Sequence, residues 1–157
     1  MAKVGKKAKD LPLVDLTFRK YEKPEGNITK RELVKKLCLS VGLLQPGDSR
    51  DVVVDILYVL LQARKTKREL SSEEIKHLVV ELRTLEKLPQ FGIANSNIRR
   101  QLKRIRDVYF IEKIKNKYRI TEQSTLLHAF EDKLMRYLLP STMDRIKEYI
   151  NEVDDKF

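Results

Sequence analysis

The stretch from Ser96 to Ile120 constrains the fold of this chain more than any other. Ile98, Leu102 and Ile105 recur at helical spacing, so one face of a helix here is apolar. The other faces of this helix carry the cations Arg99, Arg100, Lys103, Arg104 and Arg106. This pattern predicts a helix with one buried stripe and a cationic exposed side.

Two short runs rich in aromatic and β-branched residues follow this helix, YFIEKI and YRIT. They are separated by Lys115, Asn116 and Lys117, and because asparagine tolerates a positive φ, this connection predicts a β-hairpin. From Ile93 to Ile120 there are nine Lys and Arg residues against two acids, a net charge of +7 out of +10 for the whole chain. The helix and the hairpin therefore hold most of the excess positive charge.

The composition narrows the class of protein. With 157 residues, 41% hydrophobic content, five glycines and five prolines, the chain suits one mainly helical domain with appendages. The pI of about 9.7 indicates an acidic partner, with nucleic acid as a stronger candidate than an anionic membrane surface. Cys38 is the single cysteine, which indicates a reducing compartment, and no apolar run suits a signal-peptide core or a membrane span. We therefore expect a cytoplasmic protein.

Residues 1–27 are predicted to form a basic, partly disordered arm. Its first lysines have no apolar neighbours to pack with, so they are either solvated or reach DNA phosphates, as basic arms do. These lysines are Lys3, Lys6, Lys7 and Lys9. The apolar run from Leu11 to Phe18 fits either a strand or an extended clasp.

Residues 28–48 are predicted to form a helix followed by a turn. Thr29 and Glu32 have the spacing of a capping box, which starts the helix. Its inward positions should be Leu33, Val34, Leu37 and Val41. Between Arg19 and Lys36 the sequence holds seven cations and three acids, which predicts a second, milder basic patch.

The run from Val52 to Leu61, VVVDILYVLL, is apolar on nearly every face. It predicts a centrally buried helix, capped by Asp48 or Ser49. Contact with a second subunit through Val52 and Val59 is the alternative explanation for this apolar surplus.

A second capping box, formed by Ser71 and Glu74, starts the following helix. This helix should end before Pro89, and a cap at Asn95 or Ser96 should start the basic helix. Its inward side should consist of Ile75, Leu78, Val79, Leu82 and Leu85.

Residues 123–157 are predicted to form C-terminal helices, and from Thr121 onward eight acids and five cations give a net charge of −3. Apolar residues recur at spacings of three and four on both sides of a predicted break at Pro140, where Ser141 with Asp144 should restart the helix. This spacing suits packing on a partner helix, so we expect a homodimer. The two apolar series are Leu127, Phe130, Leu134 and Tyr137, then Met143, Ile146, Ile150 and Val153.

The order of a central apolar helix, a capped second helix, a basic third helix and a hairpin resembles the winged helix-turn-helix family. The resemblance covers residues 49–122, and its most specific part runs from the basic helix through VYFIEKI and a basic hairpin tip into KYRIT. The chain also resembles small archaeal transcriptional regulators. The resemblance implies a mainly α fold with a small β-hairpin, in which extra N- and C-terminal helices flank a winged helix-turn-helix core. One departure is the turn before the third helix, residues 87–94, which is longer than is usual in the family.

This resemblance implies sequence-specific binding of double-stranded DNA by a transcriptional regulator. The third helix would enter the major groove and the hairpin would lie on the backbone or in a minor groove. On the helical wheel Arg100, Lys103, Arg104 and Asp107 lie furthest from the buried stripe, and Arg100 and Lys103 are the first choices for base contacts. Arg99 and Arg106 lie at the edge of that stripe. The DNA-binding candidates are Ser96, Asn97, Arg99, Arg100, Lys103 and Arg104 in the helix, and Lys113, Lys115, Lys117 and Arg119 in the hairpin.

Patterns for other chemistry are weak. Glu74 and His77 have the spacing of half a di-metal site, but no second such pair is present. Asp51 and Asp55 are expected to be a partly solvated pair at a helix N-terminus, and Cys38 a small core residue. The sequence has no glycine-rich phosphate loop, so we expect no enzymatic activity, no metal and no cofactor. The alternatives to a DNA regulator are a winged-helix protein-interaction module of a replication or transcription complex, and an RNA-binding protein. No effector ligand is indicated.

Overall fold

The structure is a computed structural model that describes residues 10–157. The protein is mainly helical, with a small three-stranded antiparallel sheet. The four lysines of the predicted basic arm, Lys3 to Lys9, lie outside the described residues. The elements in chain order are α1 (Lys30–Ser40), α2 (Val52–Arg64), β1 (Leu70–Ser71), α3 (Ser72–Leu85), α4 (Asn95–Asp107), β2 (Ile111–Ile114), β3 (Lys117–Ile120), a 3-10 turn (Thr121–Gln123), α5 (Leu126–Ala129), a π-helical segment (Phe130–Leu138) and α6 (Leu139–Lys156).

Helix α2 is the centre of the fold and packs against α1, α3, α4 and β3. The prediction of a central buried helix is confirmed. A subunit contact through Val52 and Val59 is wrong, because both side chains are buried in the protein's own core. The predicted cap is also wrong. Asp51 occupies the cap position without a side-chain hydrogen bond, while the Asp48 carboxylate accepts from the Arg50 amide at 2.9 Å.

Helix α1 begins at the predicted threonine cap, since the Thr29 hydroxyl accepts from the Glu32 amide at 3.2 Å. The inner face of α1 differs from the prediction, because Leu33 is exposed. Arg31 and Cys38 lie two helical turns apart on the inner face, and Leu33 lies on the opposite side. A charged residue therefore takes an inward position that apolar periodicity alone assigned to a leucine.

Helix α3 also has a buried arginine where the sequence predicts a leucine, here near its C-terminal end. The predicted capping box is confirmed, because Ser71 Oγ accepts from the Glu74 amide and the Glu74 carboxylate accepts from the Ser71 amide, each at 3.2 Å. Ile75 is buried as predicted, but Leu85 is exposed and Arg83 is buried. In both helices the apolar pattern was interrupted by an inward arginine.

The predicted hairpin is confirmed and belongs to a sheet with the strand order β1-β3-β2. Ile114 pairs with Lys117, so Lys115 and Asn116 form a two-residue loop. Both loop residues have positive φ, 49° and 65°, as a type I′ turn requires. Strand β1, which pairs with Tyr118 and Lys117, is too short to be recognised from its sequence.

Residues 10–29 contain no strand, so the strand alternative for the run from Leu11 to Phe18 is wrong. Leu16 packs against the core. The Arg19 guanidinium donates to the carbonyls of Leu39 at 2.8 Å and Leu44 at 3.1 Å, which satisfies carbonyl groups at the end of α1. Arg19 is thus used inside the protein, and the predicted second basic patch is correspondingly weaker.

The C-terminal region contains no break at Pro140. The π-helical segment leads directly into α6, and Pro140 lies in its first turn. Proline clashes with the preceding turn of an α-helix, whereas a π-type turn is wound more widely and accommodates the ring. The Ser141 hydroxyl donates to the Leu138 carbonyl at 3.1 Å and does not act as a cap. None of the helices of residues 10–157 is long and apolar enough to cross a membrane.

Candidate nucleic-acid interface

Helix α4 is oriented by three buried side chains on one face, Ile98, Leu102 and Ile105. They are part of the core around α2 and α3, and they confirm the predicted apolar stripe. The exposed side of α4 is called the cationic ridge and consists of Asn95, Ser96, Arg99, Arg100, Lys103, Arg106 and Asp107. The burial of the stripe determines that these side chains face the solvent.

The N-terminus of α4 does not have the predicted cap. The cap position is Ala94, and neither Asn95 nor Ser96 accepts from the first backbone amides. The first N–H groups of an uncapped helix stay available to an external acceptor, and the helix dipole favours a negative one. This end of α4 therefore adds to the positive potential of the ridge.

Asn97 connects the start of α4 to the loop before it. Its Nδ2 donates to the Gly92 carbonyl at 2.6 Å, and its Oδ1 accepts from Arg100 at 2.7 Å. Gly92 has φ +76°, and a Cβ atom there would lie 2.9 Å from Asn97 Nδ2. The Asn97 amide is thus half-buried and bonded to the preceding loop, whereas Arg100, which donates to it, is exposed.

Arg104 and Arg106 differ from what the helical wheel predicts: Arg104 is less exposed than expected and Arg106 is more exposed. Arg104 is half-buried, and its Nη2 donates to the Gly42 carbonyl at 3.1 Å. Arg106 is exposed and has no ion-pair or hydrogen-bond partner for its side chain among the described residues. Arg106 is therefore a candidate that sequence reasoning missed. Gly42 lies far away in the sequence, so no local signal indicated which side of α4 it covers.

The hairpin presents Lys113, Lys115 and Lys117 to the solvent. The fourth predicted hairpin cation, Arg119, is half-buried, and its Nε donates to Glu112 at 2.7 Å. Arg119 thus connects β3 to β2, while the three lysines lie at and beside the tip.

Two acids accompany the cationic ridge. Lys103 Nζ lies 3.2 Å from Asp107 Oδ2, and Arg99 Nη2 lies 3.8 Å from Glu73 Oε1. All four side chains are exposed, and exposed ion pairs contribute little to stability because water screens them. A phosphate group can replace either acid at small cost.

A second group of charges lies inside the core, between α1, α2 and α3. This ion cluster consists of Arg31, Asp51, Asp55 and Arg83. Arg31 donates to Asp55 at 2.9 Å and to Asp51 at 3.1 Å, and Arg83 donates to both carboxylates, 3.1 Å from Asp51. Asp55 and Arg83 are essentially inaccessible to water. The expectation of a partly solvated aspartate pair is therefore wrong, because α1 and α3 each supply an arginine to it.

The ion cluster also shifts proton affinities and holds a loop. Burial by itself would raise the pKa of Asp51, but hydrogen bonds from Arg31 and Arg83 outweigh burial and hold that pKa below its usual range. Burial likewise opposes the charge of Arg31, yet both aspartates raise its pKa above the ordinary value. Arg83 Nε donates to the Pro89 carbonyl at 2.8 Å, which ties the connection between α3 and α4 to the core.

The other residues considered for chemistry have structural contacts. Glu74 binds Ser71 and Arg68, and backbone hydrogen bonding from Ser71, followed by the bonds from Arg68 and the Ser71 side chain, lowers the pKa of Glu74. His77 pairs with Glu81 at 3.1 Å. Cys38 is buried, and burial raises the pKa of its thiol to about 12. Within the part of the chain that the structure describes, no cluster of three or more His, Cys, Asp or Glu side chains suits a metal ion.

A cleft of about 840 Å³ lies beside the ridge, between the N-terminal segment, the end of α4 and β2. Its charged side chains are mixed in sign. They include the cations Lys103, Arg104, Arg106 and Lys113 and the acids Asp15, Asp107 and Glu112. The cleft is therefore a weaker candidate for phosphate binding than the ridge and the hairpin tip.

Comparisons with protein-family models, with curated proteins and with solved structures find no match for this chain.

Proposed function

We propose that the protein binds double-stranded DNA sequence-specifically and acts as a transcriptional regulator. Helix α4 would enter the major groove, and the β2–β3 hairpin would contact the backbone or a minor groove as a wing. One observation carries this proposal. From Asn95 to Lys117 the exposed charged side chains are seven cations and a single acid, Asp107. The cations are Arg99, Arg100, Lys103, Arg106, Lys113, Lys115 and Lys117.

The order of the elements supports the same proposal. Helix α2 is followed by the short strand β1, by α3 and α4, and by the hairpin, with β3 between β1 and β2 in the sheet. The order of three helices and a hairpin is compatible with the resemblance to winged helix-turn-helix proteins and supports the proposal. A helix with exposed cations beside a cationic hairpin can reach a groove and the flanking phosphates at the same time.

Within this proposal, the exposed residues divide into two roles. Arg100 and Lys103 lie on the ridge around the middle of α4 and are the candidates for base edges, since arginine and lysine can read guanine. Lys115 and Lys117 lie at the hairpin tip and are suited to phosphates, which position the protein without reading sequence.

The primary experiment is selection from a randomised duplex pool at about 150 mM salt, where binding through counterion release alone is weak. An enriched motif would support sequence-specific binding. As a homodimer, the protein would read two half-sites separated by about one helical turn of DNA, so a palindromic motif is expected. Binding without enrichment that disappears as salt rises would exclude the proposal. An interaction retained after nuclease treatment would instead indicate a protein partner, and a preference for hairpin RNA an RNA-binding protein.

Point variants distinguish residues that recognise bases from residues that contact phosphates. Arg100→Ala should relax one base position and cost about 1–3 kcal/mol of discrimination, whereas Lys115→Ala should weaken all sequences and lower the salt slope by about one. Arg136→Ala is a matched control, because it removes an exposed arginine far from α4 in the sequence. Equal effects of Arg100→Ala and Lys115→Ala on every sequence would contradict sequence reading by α4.

A further inference from the structure

Helix α6 carries an apolar stripe that has no partner within the described residues. None of its 18 residues is buried. Met143, Ile146, Ile150 and Val153 are between 43% and 54% exposed, and Phe157 is fully exposed. At 100° per residue these side chains lie on one face of the helix. A shallow, mainly apolar concavity of about 280 Å³ lies along this face and is lined by Ile146, Tyr149, Ile150, Val153 and Asp154. Contiguous exposed apolar surface of this kind marks an interaction site.

We propose that a second copy of this chain covers the stripe through an antiparallel pair of α6 helices. The apolar positions alternate at spacings of three and four, as the a and d positions of a coiled coil do. They lie symmetrically on either side of Glu148, so a two-fold axis at that residue matches every apolar side chain with another. The pairs across the interface are Ile146 with Ile150, Met143 with Val153, and Leu139 with Phe157.

Charge complementarity determines the orientation. Lys147 and Asp154 both flank the apolar stripe at the position after a d residue. In an antiparallel pair these two positions lie on the same side of the interface, so Lys147 of each copy can reach Asp154 of the other. A parallel pair would place Lys147 beside Thr142 and Asp154 beside Tyr149, which leaves both charges without a partner. The second copy is therefore the occupant, in the antiparallel direction.

The expected strength follows from the size of the helix. Eighteen residues span about 27 Å, which gives a modest interface whose stability depends on protein concentration. The complete chain should therefore sediment with a mass of twice 18.5 kDa at tens of micromolar and dissociate on dilution. A monomer at tens of micromolar would overturn the proposal.

Two variants test the surface itself. Ile146→Glu and Ile150→Glu should each make the protein monomeric at tens of micromolar, because a carboxylate would be buried against an isoleucine. Both should stay folded by circular dichroism, since α6 buries nothing in its own chain. Leu85→Glu is the matched control, because it changes another exposed leucine outside the stripe, and it should remain dimeric. A dimer that survives both isoleucine variants would show that another surface is responsible.

Single cysteines test the direction of the pair. Tyr149 lies close to the two-fold axis, so Tyr149→Cys should form a disulfide-linked dimer on oxidation, whereas Val153→Cys should not, since it faces Met143. In a parallel pair Val153→Cys would face itself and form a disulfide. Cys38 does not interfere, because it is buried. Efficient linkage of Val153→Cys would overturn the antiparallel arrangement. These experiments contain no DNA, so their outcome is separate from that of the DNA-binding proposal.

Discussion

Arg83 and Arg100 show two uses of the same side chain within one small protein. Arg83 is buried in the ion cluster, where two arginines face two aspartates and the charges balance. Arg100 lies on the cationic ridge, where exposed cations outnumber acids. A buried charge is tolerated only when it is paired and hydrogen-bonded, whereas an exposed unpaired charge is solvated and remains available to a ligand. Burial and pairing, not residue type, therefore separate structural from candidate binding arginines.

The ion cluster also helps to position helix α4, because it is bonded to the loop that precedes this helix. It connects α1, α2 and α3 through side chains, and through the bond from Arg83 to the Pro89 carbonyl it reaches the loop that precedes α4. The same loop contains Gly92, whose carbonyl accepts from Asn97 of α4. The placement of the ridge thus depends on charges that are buried in the core.

The largest effect is expected from removing one member of the ion cluster. Asp55→Ala leaves Arg31 and Arg83 with only Asp51 in a site closed to water, and removing one partner of a buried pair costs about 3–5 kcal/mol. The free energy of unfolding, measured in urea, should fall by that amount. Asp107→Ala is the control, because its carboxylate is exposed and its removal should leave stability unchanged. Equal stability of the two variants would contradict the distinction between the cluster and the ridge.

Acid should weaken the cluster before it affects the ridge. The pKa of Asp51 is lower in the folded protein than its ordinary value of 3.8, because Arg31 and Arg83 outweigh the effect of burial. The folded state therefore binds this proton less tightly than the unfolded state does, and the stabilisation is complete above pH 3.8 and is lost as pH falls through the lowered value. When urea unfolding is measured at a series of pH values from 7 to 2, the midpoint urea concentration should decrease as the pH falls below 3.8. In Asp51→Asn this component of the decrease should be absent.

Much of the framework could be predicted from the sequence, because its signals are local. The Ser71–Glu74 capping box and the Lys115–Asn116 loop each depend on residues within four positions of one another. The apolar stripe of α4 needs only helical periodicity. These features depend on backbone conformation and spacing, which short stretches of sequence determine.

The remainder depends on contacts between distant segments. Arg31 and Arg83 lie 20 or more positions from the aspartates they bind, and the only sequence signal was Asp55 within an otherwise apolar run. Arg104 was expected to be exposed, but it binds the Gly42 carbonyl across 62 positions. Which cations of α4 face the solvent therefore follows from tertiary packing and not from the helical wheel alone.

Smaller effects are expected from replacing Arg104 and Arg106, and they should differ in kind: one variant should lower stability and the other should weaken DNA binding. Arg104→Ala removes a half-buried bond to the Gly42 carbonyl and should lower the free energy of unfolding by about 1 kcal/mol. Arg106→Ala should leave stability unchanged and weaken DNA binding with a salt slope lower by about one. Urea unfolding and binding titrations at several salt concentrations measure both variants. Reduced stability of Arg106→Ala with unchanged DNA binding would assign Arg106 a structural role.

The smallest effect is expected at the one exposed acid of the ridge. The Asp107 carboxylate pairs with Lys103 at 3.2 Å on the surface, so it competes with a phosphate for that ammonium group and repels the DNA backbone. Asp107→Asn keeps the size of the side chain and removes both effects. It should leave stability unchanged, tighten DNA binding several-fold at low salt, and lose this advantage as salt rises. Glu131→Asn, which removes an exposed acid outside α4 and the hairpin, should change binding less. Weaker binding of Asp107→Asn would mean that the carboxylate orients Lys103 toward the DNA, and the surface pair would then resemble the buried cluster in function.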